Sequence, residues 1–257
     1  MFKTSLNRPH LALLLAAALA LPVVHAKPLK TGKAAKPAPA AEAAPAVPKV
    51  SGQTVAFQSG DGTLLSGVWY GPEHADRVVL LSHQYNRTQD DWAPLLPGLL
   101  AQGYAVLTYN FRGYPPSAGK IDLSHIADDL RAASTFARSR GAGHLALVSA
   151  SMGGIVTVPA ALDIQPDLYV LLSSPGAYGS IAAPDEALKA STAAKLFINS
   201  KYDSYLADTT HMHEVAGGTK ALQVFPGGAH GADLLSGDGA PVVIRAISDF
   251  IAANWRS

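Results

Sequence analysis

The chain has 257 residues, 48% of them hydrophobic and 15% charged, with no cysteine and a formal net charge of +1. The lack of cysteine excludes a disulfide framework, thiol catalysis and thiolate metal sites. The near-neutral total hides a division: residues 51–257 carry 13 basic against 18 acidic side chains, a balance that argues against a nucleic-acid partner.

In chain order, residues 1–26 read as a secretory leader. Lys3 and Arg8 supply a positive start, Leu11 to Val24 is apolar, and Val24-His25-Ala26 offers a small-x-Ala cleavage site. The apolar run of about 14 residues is shorter than the ~20 that a membrane-spanning helix needs. The expectation is export through a cleaved signal peptide to the periplasm or the outside, with no transmembrane segment in the mature form. No cysteine follows the cleavage point to carry a lipid. Residues 27–50 are rich in Ala, Pro and Lys and lack aromatics. Such a segment has too little large apolar surface to offset its ordering entropy, and it reads as a basic, solvated, disordered tether.

From Ser51 onward, short β-branched runs alternate with longer helical stretches, the pattern of strands and helices packed in layers. "QTVAFQS" and "LLSGVWY" around Asp61-Gly62 predict a hairpin with a tight primed turn. There follow the strand "RVVLLSH", a helix through "DWAPLLPGLLAQG", the strand "YAVLTYN", a helix from Asp122 to Arg140 and the strand "HLALVSA". Then come a helix from Met152 to Leu162, the strands "LYVLLSS" and "KLFINS", a helix from Ser204 to Ala216, the strand "ALQVFPG" and a closing helix from Pro241 to Asn254. The later strands are continuous apolar runs, as parallel strands covered on both faces should be. The prediction is one doubly wound α/β domain over residues 51–257.

Ligands in such a sheet gather at the carboxyl ends of the strands. Ser151 falls just past "HLALVSA" and before a helix, with Ser149 and Gly153 two places to either side. A strand-to-helix turn tight enough to expose a side chain crowds those two positions, so small residues there point to a nucleophile. Ser149 is a poorer candidate because its own flank would be Leu147. The plainer alternative for Ser151 is a helix N-cap. A serine needs a base, and the base an orienting acid. His230 in "GGAHG" and Asp203 in "NSKYD" both follow strands and supply these types. His25 lies in the leader, His125 and His144 start elements, and His211 and His213 fall within a helix. His211-Met212-His213-Glu214 suggests a metal, but neighbours two apart on a helix point about 200° away from each other, so no metal site is expected.

"VVLLSHQYNRTQDDWAPLLPGLLAQGYAVLTYNFRGYPPSAG", with "LVSASMGG", "NSKYD" and "GGAHG", resembles the α/β-hydrolase superfamily over nearly all of residues 51–257. The resemblance implies a mostly parallel, eight-stranded sheet with helices on both faces, and the order Ser151, Asp203, His230 is the order that fold uses. It also implies an oxyanion hole from the backbone N–H groups of Met152 and Tyr85. His83 and Gln84 are candidates to line the substrate site, the plainer alternative for His83-Gln84-Tyr85 being an ordinary strand exit. Gln84 departs from the family, which usually has Gly there. Asn86 and Arg87 read as a solvated loop. The segment in which this family often inserts a cap, Pro175 to about Ala193, has room for one short helix, so the resemblance is to small, lidless esterases of the dienelactone-hydrolase type.

The implied activity is serine hydrolysis of carboxylic esters or thioesters through an acyl-enzyme, without a cofactor, on a small-molecule or polymer-attached ester. Two alternatives stand beside it. A peptidase on the same fold would normally carry extra domains or a larger cap, and a non-catalytic binding protein would lack one of Ser151, Asp203 and His230.

Overall fold

A computed structural model describes residues 50–256; the expected leader and nearly all of the expected tether lie outside the described residues. The chain enters through β1 (Gln53–Gln58) and β2 (Leu64–Tyr70), paired antiparallel. Their connection is not the tight primed turn expected at Asp61-Gly62. Ser59 N–H donates to Thr63 O at 2.9 Å and Gly62 N–H to Ser59 O at 2.8 Å. Among Gly60, Asp61 and Gly62, only Gly62 takes a positive φ, 85°. This is a three-residue loop closed by a glycine bulge, where a primed turn would need φ > 0 at its first central residue.

Next come β3 (Arg77–Ser82), a 3-10 helix at Gln89–Leu95 that runs into α1 (Leu96–Ala101), and β4 (Ala105–Tyr109). The single helix expected here is divided because Pro94 and Pro97 supply no N–H, and a tighter turn serves the first stretch. The chain continues through α2 (Ile126–Ser139), β5 (His144–Ala150), α3 (Met152–Ile164) and β6 (Leu168–Leu172). A small ribbon follows, β7 (Ala177–Tyr178) with β8 (Ile181–Ala182), then α4 (Asp185–Ala190). The cap segment thus holds a two-stranded ribbon as well as the one short helix expected. The fold closes with β9 (Ala194–Ser200), α5 (Leu206–Val215), β10 (Lys220–Phe225) and α6 (Ala240–Ala253).

Eight strands form one sheet in the order β1-β2-β4-β3-β5-β6-β9-β10. Pairing is antiparallel at β1/β2 and β2/β4 and parallel from β4 onward. The period-two alternation of side chains sorts each central strand between two cores. Val78 and Leu80 of β3, Leu145 and Leu147 of β5, and Tyr169 and Leu171 of β6 pack with residues of α2, α3, α4 and α5. Their neighbours Val79, Leu81, Ala146, Val148, Val170 and Leu172 pack on the other face with α1 and α6. In α6 the spacing of Val243, Ile247 and Ile251 lays one stripe on the sheet.

Beyond β4, Arg112 is buried and bonds three ways: to Asp129 of α2 at 2.7 Å, to Asp61 at 2.7 Å and to Ser59 at 3.0 Å. The guanidinium holds the Asp61 carboxyl well below the usual carboxylate range. This pins the turn after β4 to α2 and to the β1–β2 loop. Gly113 follows with φ 76°, and a Cβ there would strike the backbone of Lys120 and Ile121. All the loops carrying expected site residues leave the carboxyl ends of β3, β5, β9 and β10.

Candidate active site

Ser151 joins β5 to α3 with φ 46° and ψ −112°, a conformation that costs a non-glycine residue about 1–3 kcal/mol. Its N–H donates to Leu172 O at 2.9 Å, and its carbonyl accepts from Gly154 N–H at 2.9 Å as α3 begins. Its side chain makes no capping hydrogen bond to that helix, so the N-cap role does not describe it. Gly153 is required by crowding: a Cβ there would lie 2.7 Å from Ser82 O and 2.9 Å from His83 O. Ser149 is wholly buried and its hydroxyl meets Thr157 Oγ1 at 2.7 Å, away from any opening.

His230 lies in the loop after β10, and its Nδ1 meets Asp203 Oδ2 at 2.6 Å. Asp203, in the turn between β9 and α5, has a side chain only 2% exposed, and its Oδ1 accepts from Tyr205 N–H at 2.7 Å. Both carboxylate oxygens are therefore held. A carboxylate at Nδ1 fixes the proton there and leaves Nε2 as the basic nitrogen. Ser151 and His230 border one cavity of about 270 Å³, together with Met152 and Tyr85. Among the described residues no hydrogen bond joins Ser151 Oγ to His230, a contact that commonly tightens only when substrate is bound. Nor, among the described residues, does the N–H of Met152 or of Tyr85 donate to the protein.

His83 differs from the expectation that it lines the site. It is fully buried and does not border the cavity, because its ring is engaged on both sides by backbone. Nε2 accepts from Phe111 N–H at 3.0 Å, so the proton sits on Nδ1, which donates to Gln84 O at 2.8 Å. Burial pushes its pKa down to about 4, keeping the ring neutral at pH 7. In a trans peptide the C=O and the following N–H point in opposite directions. By holding the Gln84 carbonyl, His83 therefore sets the direction of Tyr85 N–H.

Gln84 does border the cavity, and its side chain reaches the His230 loop, where Oε1 accepts from Ala232 N–H at 2.7 Å. Gly231 takes φ 58°, and a Cβ there would collide with this carboxamide. Arg87, read from sequence as solvated, makes a parallel link by bonding Asp91 at 2.8 Å and Asp233 at 2.7 Å. Asn86 N–H donates to Tyr114 Oη at 3.2 Å, and neither Asn86 nor Arg87 borders the cavity. His211 Nε2 bonds Asp185 Oδ1 at 3.0 Å, whereas His213 packs edge-on against Phe197, so the two imidazoles serve separate contacts.

The sequence reading missed three residues of the cavity wall: Pro175, Tyr178 and Tyr205. Tyr178 is the aromatic residue of the short cap segment, and Tyr205 follows Asp203 by two places, which were the available signals. Their rings lie 5.4 Å from Tyr85 and 5.5 Å from His230 respectively. The arrangement can abstract a serine proton, hold the resulting imidazolium, and offer two N–H groups to a developing oxyanion.

No curated protein matches the chain. Among solved structures it is similar to the Pyrococcus furiosus esterase Pf2001, with a TM-score of 0.70 and 16% identity over 80% of this chain and 91% of that one. An α/β serine hydrolase without lid from Xanthomonas campestris gives a TM-score of 0.60 and 17% identity over 81% and 95%. Est1E from Butyrivibrio proteoclasticus, solved with ferulic acid bound, gives 0.66 and 15% over 77% and 98%. These likenesses establish the α/β-hydrolase fold. The family described as "Serine aminopeptidase, S33" matches residues 73–215, just over half of the chain, and the chain belongs to that family of α/β hydrolases.

Proposed function

We propose that the protein hydrolyses carboxylic esters or thioesters through an acyl-enzyme on Ser151. The observation that carries this reading is the 2.6 Å contact between His230 Nδ1 and Asp203 Oδ2 beside a cavity shared with Ser151. Ser151 Oγ attacks the substrate carbonyl while His230 Nε2 takes its proton, and the carbonyl oxygen becomes an oxyanion facing Met152 N–H and Tyr85 N–H. The same proton then passes to the departing alcohol. Water attacks the acyl-enzyme by the reverse use of the base, and the acid product leaves. Asp203 keeps the ring in the useful tautomer and stabilises its charged form. Each oxyanion donor contributes about 2.7–4 kcal/mol of barrier lowering in such sites.

A second reading, removal of residues from a free peptide amino terminus, has the family description in its favour. A terminal ammonium requires an anionic partner, yet among the described residues no acidic side chain borders the cavity, and Asp203 is turned to His230. Alcohols and thiols also leave more readily than amines, which favours esters and thioesters. A fluorophosphonate probe tests the reading directly. It should label the protein and lose that labelling in Ser151→Ala; labelling that persists at another residue refutes the assignment.

Export is proposed on the sequence of residues 1–26 alone. The mature protein recovered from the cell envelope or medium should begin at Lys27; an intact amino terminus in the cytosolic fraction refutes it.

A further inference from the structure

We propose that the acyl group accepted at Ser151 is a flat aromatic one, held among the rings of Tyr85, Tyr178 and Tyr205. This rests on the ester-hydrolase reading above and narrows its substrate class. Beyond Ser151 and His230 the cavity is walled by these three tyrosines with Met152, Pro175 and Gln84, so aromatic rings make up half of this wall, and among the described residues no Leu, Ile or Val borders it. An alkyl chain gains from burial against any apolar wall, whereas aromatic rings prefer other rings in offset or edge-on contact at centroid separations of about 4.5–7 Å. The wall is already set out in that geometry. Tyr85 and Tyr178 stand 5.4 Å apart and tilted by 54°, and Tyr205 and the His230 ring 5.5 Å apart and tilted by 52°.

Two further features agree. Tyr178 is carried on the β7–β8 ribbon and is 41% exposed although it borders the cavity, so a ligand ring would cover aromatic surface that the protein leaves open. The cavity of about 270 Å³ exceeds the ~150 Å³ that suffices to hold a benzene ring in a protein interior, room for one ring on a short acyl arm. Each tyrosine also brings a phenol that both donates and accepts, which suits a ring bearing hydroxyl groups.

The test compares two methyl esters, so that the leaving group carries no ring: methyl p-hydroxycinnamate and methyl decanoate, whose acyl groups match in number of non-hydrogen atoms. The kcat/KM of the aromatic ester should exceed that of the alkyl ester by about tenfold or more, the size of one to two ring–ring contacts. Tyr178→Ala and Tyr205→Ala should each shrink the ratio, mainly by raising KM for the aromatic ester. Fluorophosphonate labelling of Ser151 is read on the same preparations. Labelling with a ratio near one, with neither ester turned over, or with a ratio untouched by both variants overturns the aromatic assignment. Absence of labelling together with absence of turnover overturns the ester-hydrolase reading beneath it.

Discussion

Gln84 Oε1 accepts a hydrogen bond from Ala232 N–H at 2.7 Å, joining positions 148 residues apart in the chain. One partner precedes Tyr85 and the other follows His230 by two residues, so the contact couples the loops that carry the proposed oxyanion donor and the proposed base.

Gln84→Ala leaves a buried backbone N–H without an acceptor, at a cost of about 1–3 kcal/mol. It should also lower kcat by about tenfold or more with a smaller change in KM, because misplacement at a reacting centre weighs on the transition state. Steady-state kinetics on a p-nitrophenyl ester, paired with a urea melt, checks both effects. Unchanged kcat in a folded variant would show that the link is idle.

Asp203→Asn should preserve the fold and reduce ester turnover by about 10⁴, since the imidazole loses its fixed tautomer. Near-full activity would point to another acid. The neighbouring candidate, Asp208, is engaged by Gly176 N–H at 2.9 Å.

His83 predicts an acid limit to stability. In the unfolded chain its pKa is 6.5, and burial lowers it to about 4 in the fold. Between these values the unfolded state binds the extra proton, so stability is full above about pH 6.5 and falls as pH drops toward 4, by about 3 kcal/mol at ~1.4 per unit. In His83→Asn, urea titrations across this window should show a smaller decline than in the wild type. Parallel declines would assign the acid sensitivity to carboxylates.

Lys195 is wholly buried, and its Nζ donates to the carbonyls of Ser191, Ala193 and Gly217 at 2.7, 2.8 and 3.0 Å. Lys195→Met removes all three donors from a site that stitches the end of α4 to the start of β10. The Ser191 and Ala193 carbonyl bonds are buried and the Gly217 one partly so; at about 1–3 kcal/mol for each buried acceptor left unpaired, the loss should reach at least about 2 kcal/mol by chemical denaturation. A loss below about 1 kcal/mol would mean that water reaches these carbonyls.

Much of the fold was legible because strand runs such as "RVVLLSH" and "HLALVSA" carry their burial in composition, and the turn at Ser151 carries its crowding in Ser149 and Gly153. What escaped lacks a local period. The β7–β8 ribbon has strands of two residues each, too short to alternate, so no periodicity aimed Tyr178 at the cavity and its being the aromatic residue of the cap segment was the only cue. Asp61-Gly62 has the composition of a two-residue turn, but the bond between Ser59 and Thr63 selects a longer loop. The engagement of His83 with Phe111 and of Gln84 with Ala232 depends on which chain segments the sheet brings together, and this is written in no single stretch.

With Ser151 in its proposed role as nucleophile, its backbone angle sets selection for stability against selection for activity at one position. Glycine adopts φ near 46° without a steric penalty, so Ser151→Gly should melt at a higher temperature than the wild type while being inert toward esters. Screens that rank variants by heat resistance alone would enrich dead enzyme at this position, and a thermostabilised version has to draw its gains from elsewhere in the sheet and helices.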